Sequence, residues 1–259
     1  MSTPSPLARS PRTAVVWDVL RTLVDDTDSL APRAPLDVVD VGGGTGGFAV
    51  PLASLGHRVT VVDPSPDALA SLQRRAGETR IGDTTQQVEV RALQGDVVSL
   101  LDVVEPGSAD LVLCHGVLEH LDDGAEVAPA LAALVAALRP GGTLSLLVTS
   151  RFAAVLARAV AGRFAEAQQA LNDTDGRWGA GDPLPRRFTE AQLVELLDAA
   201  GLQVEQVHGV RTVADLVPGV LLDSEPGAAD ALVALELATA HLPEFRAVAT
   251  QLHVRATRR

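Results

Sequence analysis

Apolar residues at Val15, Val16, Leu20, Leu23 and Val24 recur at close to helical spacing and predict a helix over 13–24, which the stretch from Pro32 to Pro35 interrupts. From Leu36 the pattern changes. Leu36–Val41 (LDVVDV) is short, β-branched and almost continuously apolar, as a strand buried on both faces of a parallel sheet would be. It runs into Gly42-Gly43-Gly44-Thr45-Gly46-Gly47. A helix over Phe48–Leu55 follows, with Gly56 as its stop, then a second strand over Arg58–Asp63 (RVTVVD). Ser65 is placed to cap a helix reaching Ala76, and the polar stretch Gly77–Gln86 reads as a loop. A third strand is expected over Val88–Leu93, ending at Gly95-Asp96, and a fourth over Ala109–Cys114. A helix over Ala125–Leu138, stopped by Pro140 and Gly141, leads to a fifth strand over Thr143–Thr149.

Strand and helix alternate throughout this stretch, which predicts βαβ units and an α/β fold with a parallel sheet. Beyond residue 150 the rhythm changes. Phe152–Leu171 reads as helix and Asn172–Arg187 (NDTDGRWGAGDPLPRR) as loop. Thr189 caps a helix over Ala191–Ala200, and Leu202–His208 is a strand. Thr212–Leu242 is mostly helical, and Gln251–Thr257 (QLHVRAT) alternates like a last, half-exposed strand. Met1–Pro11, rich in Ser and Pro, reads as a flexible tail in front of a single domain over 12–259. No apolar run reaches the roughly 18 residues of a membrane span, and with one cysteine and no export signal the expected compartment is the cytoplasm.

The glycine run is the strongest chemical signal. Glycines between a buried strand and a helix permit a tight turn and let backbone approach a ligand. Asp63 ends the next strand, at the distance where a carboxylate accepts hydrogen bonds from both hydroxyls of a ribose. Gly42, Gly44 and Gly47 also satisfy the dinucleotide spacing, so the loop alone does not separate a nicotinamide cofactor from another nucleoside. A dinucleotide dehydrogenase, however, needs a second mononucleotide-binding half, which the mostly helical region after residue 150 does not supply.

Three further features accompany the loop: Gly95-Asp96 at the end of the third strand, His115 at the end of the fourth within LCHGVLEHL, and Arg139-Pro140-Gly141-Gly142 before the fifth. Together these residues resemble the class I S-adenosylmethionine-dependent methyltransferases over residues 36–149. The resemblance implies a Rossmann-like, seven-stranded, mostly parallel sheet with an antiparallel last strand, helices on both faces, and helical insertions after strand five and before the last strand. It implies S-adenosyl-L-methionine as cofactor, bound by Gly42, Gly43, Gly44, Gly46, Asp63, Gly95, Asp96 and His115. Residues 36–149 are then the cofactor-binding core, and 150–188 and 212–245 the acceptor-side insertions.

A narrower resemblance covers most of the chain. Residues 11–20 (PRTAVVWDVL), LCHGVLEHL, LRPGGTLSLL, 160–164 (VAGRF), Gly209-Val210-Arg211, Leu235-Glu236-Leu237 and the tail from His253 to Arg258 are similar to the bacterial tRNA methyltransferases that esterify the carboxylate of 5-carboxymethoxyuridine. That family implies a further cofactor contact from Arg12 and a tRNA partner. Its Lys-rich tract is replaced here by the Asn172–Arg187 stretch.

Charge modifies the picture. The chain carries a formal net charge of −12 and no lysine, so a nucleic acid would need a local basic patch. Residues 151–259 contain eleven Arg against fourteen acids and are the less acidic half. A small-molecule O- or N-methyltransferase suits the acidic balance, and a cofactor-binding module without transfer activity is the remaining alternative. A carboxylate acceptor is already ionised at neutral pH and requires no general base. Arg211 and then Arg151 are the candidates for orienting it, because a guanidinium forms two parallel bonds to a carboxylate or phosphate. Arg163, Arg186 and Arg187 read as solvated charges, with phosphate contact as the alternative. His120 and Trp17 read as surface and core residues, Trp178 is left open, and Cys114 reads as an inert core thiol. No metal site is expected.

Overall fold

The computed structural model describes residues 6–25, 35–81, 87–122 and 124–259. Seven strands form one sheet in the order β3-β2-β1-β4-β5-β7-β6. They are β1 (Asp37–Val41), β2 (Arg58–Asp63), β3 (Val90–Gln94), β4 (Ala109–His115), β5 (Leu138–Thr149), β6 (Leu202–Val210) and β7 (Gln251–Arg258). β1 to β5 pair in parallel, and β7 lies antiparallel between β5 and β6.

The helices are α1 (Pro6–Arg9), α2 (Ala14–Asp25), α3 (Ala49–Ser54), α4 (Pro66–Glu78), α5 (Val127–Ala137), α6 (Arg151–Val160), α7 (Phe164–Asn172), α8 (Glu190–Ala199), α9 (Gly219–Ser224), α10 (Ala228–Thr239) and α11 (Pro243–Arg246). Apolar side chains of α5 and α8 pack on one face of the sheet, against Val112, Leu146 and Val254. Side chains of α2, α3 and α4 cover the other, against Val38, Val61 and Leu113. Strands buried from both sides need the continuous apolar runs seen in the sequence. Ser65 caps α4 by accepting from Ala68 N–H, and Thr189 with Gln192 forms a reciprocal capping box on α8.

Several expectations are revised. Pro6–Arg9 is a helical turn, with Leu7 and Ala8 packed on the core and the Leu7 carbonyl accepting from Thr13 Oγ1, so this part of the expected tail is folded. Residues 1–5 of that tail, and 82–86 of the expected loop, lie outside the described residues. The helix expected over Phe152–Leu171 is two helices, because Gly162 turns the chain with φ 75°. Arg139-Pro140-Gly141-Gly142 belongs to β5, where Arg139 ties Asp37 of β1 and Asp110 of β4 together. β7 lies between β5 and β6 and not at an edge of the sheet; Gln251, Arg255 and Thr257 are half-buried, as the alternation indicated, whereas His253 is fully buried. Among the described residues, no helix is long and apolar enough to cross a membrane.

Candidate cofactor and acceptor site

The strand order reverses direction between β1 and β4, and ligands of open α/β sheets bind at such a point, beyond the carboxyl ends of the strands. The glycine loop lies there. Gly42, Gly44 and Gly46 have φ of 70°, 56° and 79°, a region closed to most side chains. Gly42 N–H donates to Val62 O, anchoring the turn onto β2. A Cβ on Gly42 would lie 2.4 Å from Val117 Cγ2, so the loop after β4 closes directly over the glycine turn.

Asp63, at the end of β2, joins the site to the loop. Its Oδ2 accepts from Gly44 N–H at 2.9 Å and its Oδ1 from Ser65 N–H at 2.9 Å. Each carboxylate oxygen accepts more than one bond, so both remain able to receive ribose hydroxyls. Gly95 N–H donates to the Asp63 carbonyl, which places Gly95-Asp96 beside the same acid. Asp96 Oδ1 accepts from Val98 N–H, Ser99 N–H and Ser99 Oγ, and the bonds from Ser99 hold its pKa below the ordinary range. A Cβ on Gly47 would meet nothing within 4 Å, and one on Gly44 nothing nearer than 3.9 Å. The loop is therefore open above its glycines and bounded by two carboxylates, which fits a ribonucleoside cofactor.

His115 ends β4, its ring centroid 5.1 Å from that of Phe48 in an edge-to-face contact; Phe48 leads from the glycine loop into α3. Burial lowers its pKa to about 4, so the ring is neutral. Arg12 is exposed in the turn that opens α2, a turn fixed by Thr13 and Ala14 N–H bonds to Ser10 O. The structure thus gathers the glycines, Asp63, Gly95, Asp96 and His115 at one edge.

Asp40 escaped the sequence reading, although a charge inside an apolar strand run was a usable signal. It is 3% exposed beneath the loop, and a Cβ on Gly43 would lie 2.6 Å from its carboxyl carbon. Burial, and then the neighbouring Asp63, push its pKa up to about 7. An aspartate that titrates near 4 in the unfolded chain and near 7 in the fold loses stability as pH rises between those values. Asp40→Asn is accordingly expected to raise the melting temperature of the cofactor-free protein at pH 8 by several degrees and to leave it nearly unchanged at pH 4. Equal melting temperatures at pH 8 would contradict the buried, protonation-dependent carboxyl.

Glu119 was quoted in a motif and not singled out. It is 2% exposed, and its Oε1 accepts from Thr149 N–H (3.1 Å) and Oγ1 (2.8 Å), fixing the end of β5 to the turn after β4. Burial raises its pKa.

On the acceptor side the arginines separate. Arg211 follows β6 with φ 58°, the one described non-glycine residue with positive φ, and pairs with Asp215 at 2.8 Å. Buried Glu236 holds the next turn: its carboxylate accepts from the N–H groups of Thr212, Val213 and Ala214. Arg151 opens α6, with its guanidinium on the Thr174 carbonyl. Arg163 pairs with Glu166 at 3.6 Å.

Arg186 and Arg187 correct the expectation of solvated charges and leave no open guanidinium for a phosphate. They are 6% and 3% exposed, Arg187 in a two-pronged pair with Asp182 and Arg186 on the Leu121 carbonyl. Trp178, left open by the sequence, is clamped between the guanidinium groups of Arg158 (3.6 Å) and Arg187 (4.0 Å). The loop that replaces the Lys-rich tract is thus folded around an interior ion pair. Trp17 and Cys114 are buried in the core and His120 is exposed. Burial raises the Cys114 pKa far above the thiol range, which agrees with an unreactive group.

This architecture defines a class: a class I methyltransferase that draws its methyl group from S-adenosylmethionine. A family described as "Methyltransferase domain" matches residues 39–146. The tRNA 5-carboxymethoxyuridine methyltransferase of Escherichia coli K12 is 33% identical over 205 residues, covering 79% of this chain and 72% of that enzyme. The chain belongs to the same family as that enzyme, within the S-adenosylmethionine-dependent methyltransferases. A ubiquinone biosynthesis O-methyltransferase of Xanthomonas campestris is 36% identical over 138 residues, 52% of this chain and 53% of that protein. A magnesium protoporphyrin IX methyltransferase from Synechocystis PCC 6803, solved with bound SAH, shares the fold with a TM-score of 0.59 at 15% identity, covering 100% of this chain and 90% of that one.

Proposed function

We propose that the protein esterifies the carboxylate of 5-carboxymethoxyuridine in tRNA, in the cytoplasm. Arg211 carries this reading. A guanidinium at the carboxyl edge of β6, on a strained backbone that Glu236 secures, is held in place by Asp215 and would exchange that carboxylate for the substrate's. The similarity to the E. coli enzyme supports it, since 205 matched residues exceed the 39–146 core and include acceptor-side sequence.

The single domain divides functionally, with 36–149 binding cofactor and 150–188 and 212–245 shaping the acceptor side. Gly42, Gly43, Gly44, Gly46, Asp63, Gly95, Asp96, His115 and Arg12 hold S-adenosylmethionine, which supplies a methyl group already activated on a sulfonium. The chain's own contribution is placement. Asp63 and the loop would fix the nucleoside, and Arg211 and Arg151 would orient the acceptor carboxylate beside it. No side chain removes a proton.

A second reading, a small-molecule O- or N-methyltransferase, is favoured by one observation. Arg158, Arg163, Arg187 and Arg246 are all ion-paired within the protein instead of lying open to phosphates.

The deciding experiment incubates the protein and S-adenosylmethionine with tRNA from cells lacking the gene, followed by nucleoside mass spectrometry. The wobble nucleoside should gain one methyl ester; unmethylated tRNA in the presence of bound cofactor would overturn the tRNA reading in favour of the second. Arg211→Gln should raise the KM for tRNA roughly tenfold, the loss of a charge-assisted bond, with cofactor affinity unchanged.

A further inference from the structure

Three histidines and a serine form a row across the sheet, from the cofactor edge to strand β6. His115 Nε2 lies 2.9 Å from Ser145 Oγ on β5, and the same oxygen lies 2.7 Å from His253 Nε2 on β7. His253 stacks on His208 of β6, with ring centroids 5.7 Å apart. Ser145 and His253 are fully buried. The Nδ1 atoms of His115, His208 and His253 are shielded and have no partner, and neither has Arg255 Nε beside them. Burial keeps the rings uncharged, with His115 and His208 lowered to about 4.

Hydrogen-bond arithmetic links the two ends of the row. A serine hydroxyl has one proton, and a neutral imidazole carries one proton on one of its two nitrogens. Both Nε2 atoms therefore cannot accept from Ser145. If both donate, the hydroxyl proton is stranded in a dry interior, which is costly. The pattern that satisfies the hydroxyl has one ring donating to Oγ while Oγ–H donates to the other, so the tautomer of His253 dictates that of His115. Arg255 acts electrostatically on His253, and a cation facing its Nδ1 favours a bare lone pair there, which puts the His253 proton on Nε2. His115 Nε2 then accepts, and its proton sits on Nδ1.

We propose that His253, acting through Ser145, is a positioning residue that makes His115 present an Nδ1–H donor, not a base, at the methyl-transfer site. This deepens the carboxylate reading and rests on it: a donor binds an acceptor carboxylate or a cofactor oxygen, and an already ionised nucleophile needs nothing to deprotonate it. It also explains why His253 is buried among the polar residues of β7.

The test measures imidazole nitrogen shifts of the full-length protein, with the His115 signals assigned by their loss in His115→Gln. The wild type should show His115 protonated on Nδ1. Ser145→Ala should shift it toward the Nε2–H form and lower kcat with tRNA roughly tenfold, the effect of one misplaced hydrogen bond. His253→Gln, whose amide N–H reaches the same oxygen, should keep tautomer and rate near wild type, a rescue that a merely structural role would not predict. Thermal melts confirm folding of each variant. A His115 tautomer unchanged in Ser145→Ala overturns the proposal. A shifted tautomer with wild-type turnover and cofactor affinity also overturns it, by removing His115 from the site. Either result leaves tRNA methylation by the wild type intact, whereas failure of the carboxylate reading would show as unmethylated tRNA.

Discussion

Asp63→Ala is expected to weaken S-adenosylmethionine binding by at least about a hundredfold, with the protein still folded. The size follows from two roles of one carboxylate. Two charge-assisted bonds to the ribose are worth roughly 1.5–3 kcal/mol each, so their joint loss alone reaches that factor. Asp63 also accepts from Gly44 N–H and Ser65 N–H, and without it the loop no longer has a fixed form to offer the ligand. Asp63→Asn keeps an oxygen for one of these bonds and loses the charge, so it should fall between Ala and wild type. Titration calorimetry measures the series. An Ala variant that binds within threefold of wild type would take the ribose away from Asp63, and with it the placement of the cofactor along the β1–β2 edge.

The parts of this site that were legible in the sequence are those that rest on backbone. A glycine run after a buried strand has few explanations other than a tight turn, and an acid at the end of the next strand falls beside it because adjacent parallel strands bring their carboxyl ends together. The LCHGVLEHL segment was legible for the same reason: β4 pairs with β1, so its end faces the loop. What the sequence obscured was long-range pairing of side chains. Nothing local in Arg186-Arg187 distinguishes a solvated pair from a buried one; the difference is made by Asp182 and Trp178 folding back over them. The alternation of Gln251–Thr257 correctly indicated a strand with a half-exposed face and misled only at His253, because a polar residue facing His115 and Ser145 imitates one facing water. Asp40 was hidden by its neighbours: a single acid in LDVVDV does not disturb the strand pattern, so its burial shows only once Gly43 is seen above it.

Arg187→Ala should be the most destabilising of these changes, and its effect decides whether the 172–187 loop is an acceptor surface or a structural plug. The guanidinium is 2% exposed and its partner Asp182 is fully buried, with the two bonds at 2.7 and 2.8 Å. Arg187 Nη1 also donates to the Gly176 carbonyl, and the cation lies 4.0 Å from the Trp178 ring. Removing one member of such a pair strands the other charge in the interior, at a cost of about 3–5 kcal/mol, a large share of the 5–15 kcal/mol by which a domain is stable. Denaturant unfolding at pH 7 should record that loss. The double change Arg187→Met with Asp182→Asn should recover part of it, since it removes the unpaired charge and keeps an oxygen for the Trp178 and Leu184 N–H groups. Acid gives the sign. Burial acts to raise the Asp182 pKa, and the bonds from Arg187, Trp178 N–H and Leu184 N–H outweigh it, leaving the group below its ordinary value. The stabilisation is therefore complete above the unfolded pKa near 4 and disappears as pH falls through the depressed native one, so the gap between wild type and variant should narrow in acid. Should the Ala variant instead unfold like wild type while its affinity for tRNA alone drops, Arg187 would be a phosphate ligand after all, and the ion pair with Asp182 a resting state that the nucleic acid displaces.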